Sequence, residues 1–530
     1  MFIRRTSKLF ATFLSAEASV TLRAMSTQQP SERAERALNR AAREALIYGL
    51  LLGASVLIYL LIRAYGERLP MPTRAAAQLG VVGGPPGGHD ADVMLHILLA
   101  LSVVIAVARA GGMLFRLLQQ PAVVGEIVAG IMLGPSLLGR VWPGAFAYLL
   151  PPTVAPFLDV LAQLGIILYM FLVGLELDPR LVARRGQAAV AISHASIVVP
   201  FLLGALLALV LYPEVAAAGV PFTGFSLFVG VSMSVTAFPV LSRILTDLGI
   251  HKTPLGIMAL TCAAVDDVTA WCLLAVVVGV VEAHGTGSLI TAAMAVAYIV
   301  FMVVLVRPTA VRLTLRQENT GHLTQGMMAI VFVLLMLSAL ATDLIGIHAM
   351  FGAFALGAVI PSDSKLAHDM TERLEDVLVV LLLPTFFALT GLRTRIGLVS
   401  GLHAWLLCGL TIAVASVGKF GGSFVAARLT GLGWRDASSL GVLMNTRGLA
   451  ELIVLNIGLQ LRVINPRVFA MLVVMSLATT LATTPILRLI RGDEVGAARS
   501  ERSILRLAWL RTELYKHVEL HRRSLGDSGQ

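Results

Sequence analysis

Two adjacent carboxylates, Asp266 and Asp267, stand in the stretch "TCAAVDDVTAW" at residues 261–271, inside a run that is otherwise apolar from Leu255 to Val281. At mid-depth in a bilayer one ionised side chain costs about 2.5–3.5 kcal/mol on insertion scales, so something must offset it. Lys419 in "ASVGKFGGSF" is a lone ammonium near the middle of the run 404–427, too deep to snorkel to an interface. A buried Asp–Lys pair lowers the cost of both charges. Consecutive helical residues point about 100° apart, so the two acids cannot work as a symmetric pair in one pocket. One carboxylate therefore pairs with Lys419, and the other faces a water-filled cavity. Such a group is neutralised by a proton or by a small monovalent cation, but not by both at once, and competition for one site is exchange. We assign Asp267 as the shared ion- and proton-binding site and Asp266 as the partner of Lys419; from the residues alone the two roles are interchangeable.

Elements that could hold these groups follow from composition. Of 530 residues, 57% are hydrophobic and 14% charged, and the mean hydropathy is +0.84. Soluble domains carry about 25% charged residues, so this is an all-α polytopic membrane protein. The net charge of +10 reflects basic residues gathered between apolar runs and at the ends. Topology accounts for it, and no nucleic-acid partner is implied. Cys262, Cys272 and Cys408 all fall in apolar runs and read as small fillers rather than a disulfide or metal framework. His251, His284, His348 and His403 lack metal-ligand spacing. No metal is expected beyond a transported alkali cation, and no cofactor.

Runs of bilayer-spanning length fall near 45–64, 93–118, 122–139, 157–175, 188–211, 224–247, 255–281, 288–306, 326–344, 347–360, 375–392, 403–429, 437–459 and 467–488. This divides the chain into a basic N-terminal tail (1–44), an extra transmembrane helix (45–64), a Gly/Pro-rich linker (65–92), a membrane domain (93–491) and a basic tail (492–530). The tail 1–44 loosely fits a transit peptide, but a cytosolic tail or a start at Met25 is the preferred reading. Cations such as Arg180, Arg184, Arg185, Lys252 and Arg312 gather on one side, which the positive-inside rule makes cytosolic, together with both termini. A cell (inner) membrane is the expected location. The C-terminal tail leaves no room for a nucleotide-binding domain.

The membrane domain also resembles itself. "YMFLVGLELDPRL" (169–181) echoes "FFALTGLRTRIGL" (386–398), aligning Gly174-Leu175 with Gly391-Leu392 and Glu176 with Arg393. "SVTAFPVLSRILTDLG" (234–249) parallels "MNTRGLAELIVLNIG" (444–458), with Thr236 beside Thr446. Six spans (93–281) and six later ones (326–488), separated by a linking helix at 288–306, make an inverted-topology repeat. The fifth span of each half is a broken helix. The first break lies at "SMSVTAFPV", where Pro239 removes a donor and Ser232, Ser234 and Thr236 bond the carbonyls it frees. The second lies at "MNTRGLAE", with Asn445, Thr446 and Gly448 at the unwound segment. Arg447 and Glu451, four apart, satisfy each other, while Glu126, Arg243 and Arg393 are gate or packing residues.

"VVGEIVAGIMLGPSLLG", "SVTAFPV", "AAVDDVTAW" and "MNTRGLAELIVLNIG" together resemble the second monovalent cation:proton antiporter family. The resemblance covers about residues 93–490 and is closest to the branch of plant cation/proton exchangers and their bacterial relatives. It implies the sodium/proton antiporter fold, with inverted six-helix repeats and two crossed, broken helices, and a homodimer with a dimerisation domain and a moving core. It further implies that Asp267 is the essential ion-binding aspartate, Asp266 its neighbour, Lys419 the lysine of the eleventh core helix, and Thr236 part of the unwound segment bordering the site. An Asp-Asp pair here leans towards electrogenic exchange. The extra N-terminal span is unmatched. Competing readings are a sodium-coupled symporter of an organic anion on a related repeat, an intramembrane aspartyl protease and a channel. The symporter needs no second aspartate or mid-membrane lysine. The protease needs acids from different helices.

Overall fold

The computed structural model describes residues 49–70, 90–118, 120–176, 186–282, 287–320 and 323–492. The tails 1–44 and 493–530 and most of the 65–92 linker lie outside these. Among the described residues the chain is helical, with no strand. It divides into a short unit ending at Leu61 and a large unit from Ile62 onward. Among the described residues twelve helices are long and apolar enough to cross a membrane, thirteen if a pair bent by 42° is one span; the run expected at 347–360 is a shorter apolar helix, Ala349–Val359.

The chain opens with α1 (Gly49–Gly66). Then come α2 (Asp90–Leu117), α3 (Ala122–Leu133), two short helices within 138–149, α4 (Ala155–Leu175) and α5 (Gly186–Val215). The interrupted pair α6 (Phe222–Ser234) and α7 (Phe238–Leu248) leads into α8 (Pro254–Glu282) and the linking helix α9 (Gly287–Phe301). The second half repeats the order with α10 (Gln325–Ile345), α11 (Ala349–Val359), α12 (Leu383–Arg393), α13 (Gly401–Leu429), the pair α14 (Trp434–Met444) and α15 (Leu449–Gln460), and α16 (Pro466–Gly492). Two expected runs are longer than hydropathy indicated. The charged helix Lys365–Val377, "KLAHDMTERLEDV", continues through a π-helical turn into α12, and α9 continues likewise into the charged helix Arg307–Thr320.

Helices gather in two groups. In one, α5 packs on α6, α8 and α13, and α14 packs on α8 and α13. In the other, α3 packs on α2 and α12, and α11 on α4 and α10. Without a hydrophobic driving force between helices in lipid, close approach depends on small residues. The pairs obey the repeat: a Cβ on Gly130 of α3 would strike the α12 backbone at Phe387 and Ala388, and Gly391 lies against the Gly130 backbone in turn. On the other side, Gly174 of α4 meets Phe354, Gly357 and Ala358 of α11. Gly174 and Gly391 are the two glycines the sequence echo aligns. The interrupted helices have their own core, where Val240, Leu241, Ile244 and Leu245 of α7 join Ala263, Ala437, Leu440 and Leu443.

Gly391→Val places side-chain atoms where backbone now lies, and overpacking of this kind costs about 1–3 kcal/mol or more. A lower melting temperature in detergent is expected for Gly391→Val. Gly421→Ala, which has nothing within 4 Å, should melt as the unaltered protein does. Equal melting of the two variants would remove the contact from the account.

Candidate functional site

Both interrupted spans unwind for three or four residues. α6 ends at Ser234, Val235 and Ala237 are extended (ψ 135 and 93), and α7 begins at Phe238. Pro239 lies in the first turn of α7, where its missing N–H was one of the helix's unpaired donors in any case. The break is therefore upstream of Pro239 and not caused by it. Nor do the neighbouring hydroxyls take the freed carbonyls, as expected from the sequence. Ser232 donates to Phe228 O, and Ser234 to Gly230 O and Ile197 O. In the second half α14 ends at Met444 and α15 starts after Gly448, whose Cβ, if present, would sit 2.6 Å from Val240 Cγ2. The two unwound segments touch: Ala237 N–H donates to Thr446 O at 3.1 Å, and Thr236 Oγ1 lies 3.3 Å from Met444 O. Such a crossing sets positive N-terminal ends of α7 and α15 beside negative C-terminal ends of α6 and α14.

Asp266, on α8, is fully enclosed at this crossing. Its Oδ1 accepts from Ser193 Oγ at 2.5 Å, and its Oδ2 from Ser196 Oγ at 2.8 Å and Thr236 Oγ1 at 2.7 Å. Lys419 Nζ, also with no exposed surface, closes an ion pair to Oδ2 at 3.0 Å. The same ammonium donates to Ser234 O at 2.6 Å and to Ser196 O and Oγ at 2.9 Å. Lysine and aspartate thus reach one another with their remaining donors and acceptors satisfied, the condition under which a buried pair is tolerated.

Asp267 is buried as well, with 6% of its surface accessible, but its Oδ1 has no hydrogen-bond partner. The carboxyl receives the backbone N–H of Phe238, at the head of α7. Asn445 Oδ1 and Thr446 Oγ1 at the crossing are likewise buried without partners. A lone pair left open at a buried carboxylate is what a hard monovalent cation, or a proton, can use.

A second buried pair braces the crossing. Arg447 and Glu451 meet at 3.3 Å with no exposed surface. The guanidinium also donates to Ser232 O at 2.9 Å and Met233 O at 2.8 Å. The carbonyl end of α6 is therefore held by two cations, Arg447 on the first two oxygens and Lys419 on the third. Thr480 of α16 exchanges hydrogen bonds with the Arg447 backbone, at 2.9 Å to its N and 2.7 Å to its O.

The remaining candidates scatter. Glu126 is buried on α3, with Gly112 against its side chain, and Arg109, Arg116 and Arg243 supply the nearest positive charge. Arg243 itself is exposed. Arg393 bridges the two groups, donating to Asp159 Oδ1 of α4 at 2.9 Å and to Asn456 Oδ1 of α15 at 2.8 Å. It lines, with Asp159 and Arg395, a cleft of about 630 Å³ walled by Phe146, Leu150 and Leu392. Cys262 and Cys408 are buried fillers as expected, whereas Cys272 is exposed. Among the described residues no cluster of His, Cys, Asp and Glu could hold a metal. Ser193, Ser196, Asn456, Asp159 and Thr480 were not singled out in the sequence. The "TTLATT" run at 479–484, a cluster of hydroxyls in an apolar span, is the signal that could have found Thr480.

Both oxygens of Asp266 are committed and Asp267 is the next residue on the same helix, so these two acids do not converge from different helices as protease chemistry requires. Comparison with known proteins agrees. The family described as "Sodium/hydrogen exchanger, transmembrane" matches residues 100–489. The Na(+)/H(+) antiporter NhaS4 of Synechocystis sp. is 44% identical, over 75% of this chain and 97% of its own length. Cation/H(+) antiporter 20 of Arabidopsis thaliana is 40% identical over 73% of this chain, which spans only 48% of that protein. Among solved structures, the sodium proton antiporter MjNhaP1 from Methanocaldococcus jannaschii superposes with a TM-score of 0.56 at 13% identity, covering 76% of this chain and 100% of that one; this likeness concerns the fold. The chain is an integral, multi-pass membrane protein belonging to the sodium/hydrogen exchanger family.

Proposed function

We propose that the chain exchanges a monovalent cation, Na+ or K+, for protons, and that the two compete for Asp267. One observation carries this reading: of two adjacent buried acids, Asp266 is saturated by Ser193, Ser196, Thr236 and Lys419, while Asp267 keeps an unpartnered oxygen. A bare anion is held at the wetted end of its path by the cost of desolvation. Neutralised by a proton or an alkali cation, the same site passes the apolar barrier, so each crossing carries one or the other. No nucleotide or cofactor is needed. Relatives named as Na(+)/H(+) and cation/H(+) antiporters support both cargoes.

Alternating access on this reading comes from the helix group of α5 to α8 and α13 to α16 moving against that of α2 to α4 and α10 to α12. The second group forms the contact of a homodimer. The termini and the loops rich in arginine and lysine face the cytosol of the cell (inner) membrane, by the positive-inside argument. Lys419 is the charge that makes the exchange sensitive to membrane potential.

In proteoliposomes with a quenched pH dye, Asp267→Asn is expected to abolish cation-driven proton release with either Na+ or K+; full exchange by this variant overturns the assignment. Its melting temperature should stay near that of the unaltered protein, because the lost oxygen had no partner. Lys419→Ala strands a buried carboxylate, and breaking such a pair costs about 3–5 kcal/mol. We expect markedly earlier melting in detergent and exchange that is weak and indifferent to an imposed potential. An unchanged potential dependence would count against the charge-coupling role.

A further inference from the structure

The last turn of α1 is attached to the head of an interrupted helix. Ile62 and Gly66, four residues apart on one face, are buried, and a Cβ on Gly66 would overlap the Phe222 ring. Phe222 is in turn fixed by an edge contact to Tyr212, whose hydroxyl donates to Val220 O at 2.6 Å. Beside this apolar seat Glu67 Oε1 accepts from Thr223 Oγ1 at 2.8 Å and from Arg63 Nε at 2.7 Å. The hydrogen bond from Arg63, and next that from Thr223, holds the Glu67 carboxyl below the usual carboxylate range, so this clasp is charged at neutral pH. α6 has neither a capping side chain nor an acidic residue in its first turn. A carboxylate at a helix head is favourable, and Glu67 supplies from another element what the α6 sequence lacks.

α6 belongs with α5, α8 and α13, the group that carries Asp266, Asp267 and Lys419. α2, the next helix in the chain, packs on α3 in the other group. We propose that the last turn of the extra N-terminal helix is a fixed attachment to the ion-carrying group, made by Gly66 on Phe222 and Glu67 on Thr223, and travels with it. The family match begins at residue 100, so this attachment is a property of the added segment. The inference rests on the relative movement of the two groups proposed above.

Cross-linking separates the two. In a background with Cys262, Cys272 and Cys408 replaced by alanine, Glu67→Cys/Thr223→Cys ties α1 to α6, and Arg393→Cys/Asn456→Cys ties the two groups together. Both pairs are closed with a short bifunctional thiol reagent in proteoliposomes, and exchange is measured before and after. The expected result is no loss of exchange for the first pair and complete loss for the second. Loss for both pairs overturns the inference alone, since the end of α1 would then be anchored to the stationary group. Exchange surviving both cross-links overturns the group movement, and the inference with it. Loss for the first pair only, with the second still active, also overturns it.

Discussion

A carboxylate shut away from water must have its charge balanced, and at the centre of this chain two acids stand in sequence where only one is balanced. The Asp266–Lys419 pair is closed by serine and threonine hydroxyls, by the Ser196 carbonyl of α5 and by the Ser234 carbonyl that the interruption of α6 exposes. The unwinding and the lysine explain each other. A helix that stops mid-membrane leaves orphan carbonyls, and a lone ammonium at mid-depth needs acceptors. Each removes the other's penalty, and Asp267 is left as the group with capacity to spare.

The repeat makes this asymmetry visible. Its two interrupted spans meet at one crossing, and the glycine contacts Gly130–Gly391 and Gly174–Gly357 show how faithfully the halves are matched in packing. Chemistry departs from the match. α8 brings Asp266 to the unwound segment of the first half, whereas α16 brings Thr480 to that of the second, where the charge balance is local, between Arg447 and Glu451 one turn apart. Duplicated architecture thus holds two unlike ionic sites, one with a second acid beside a closed pair and one whose acid and base are neighbours on a single helix.

Much of this was legible because charge in an apolar run is conspicuous. Asp266, Asp267, Lys419, Arg447 and Glu451 stand out against their neighbours, and the echo of "YMFLVGLELDPRL" in "FFALTGLRTRIGL" aligns Gly174 with Gly391. Pro239 misled: a proline reads alike at a kink and in a helix's first turn, and only the register of α7 distinguishes them. Ser193 and Ser196 were silent, since small polar residues are common in membrane helices and become significant only through the partner they meet. Hydropathy likewise could not follow helices into the charged segments 307–320 and 365–377, which continue by backbone hydrogen bonding rather than by apolarity.

Arg393 gains meaning from contrast with Lys419. Both are cations that tie helices distant in sequence, yet the Arg393–Asp159 pair keeps about a quarter of each side chain in contact with solvent, and the Lys419–Asp266 pair keeps none. Water can take over the bonds of the first as it opens and return them as it closes, at little net cost. It cannot reach the second. The Arg393–Asp159 pair joins α12 to α4 within one helix group, so Arg393 keeps a charged partner when its bond to Asn456 of the other group parts, and the Lys419–Asp266 pair is a rivet within the group that carries the site.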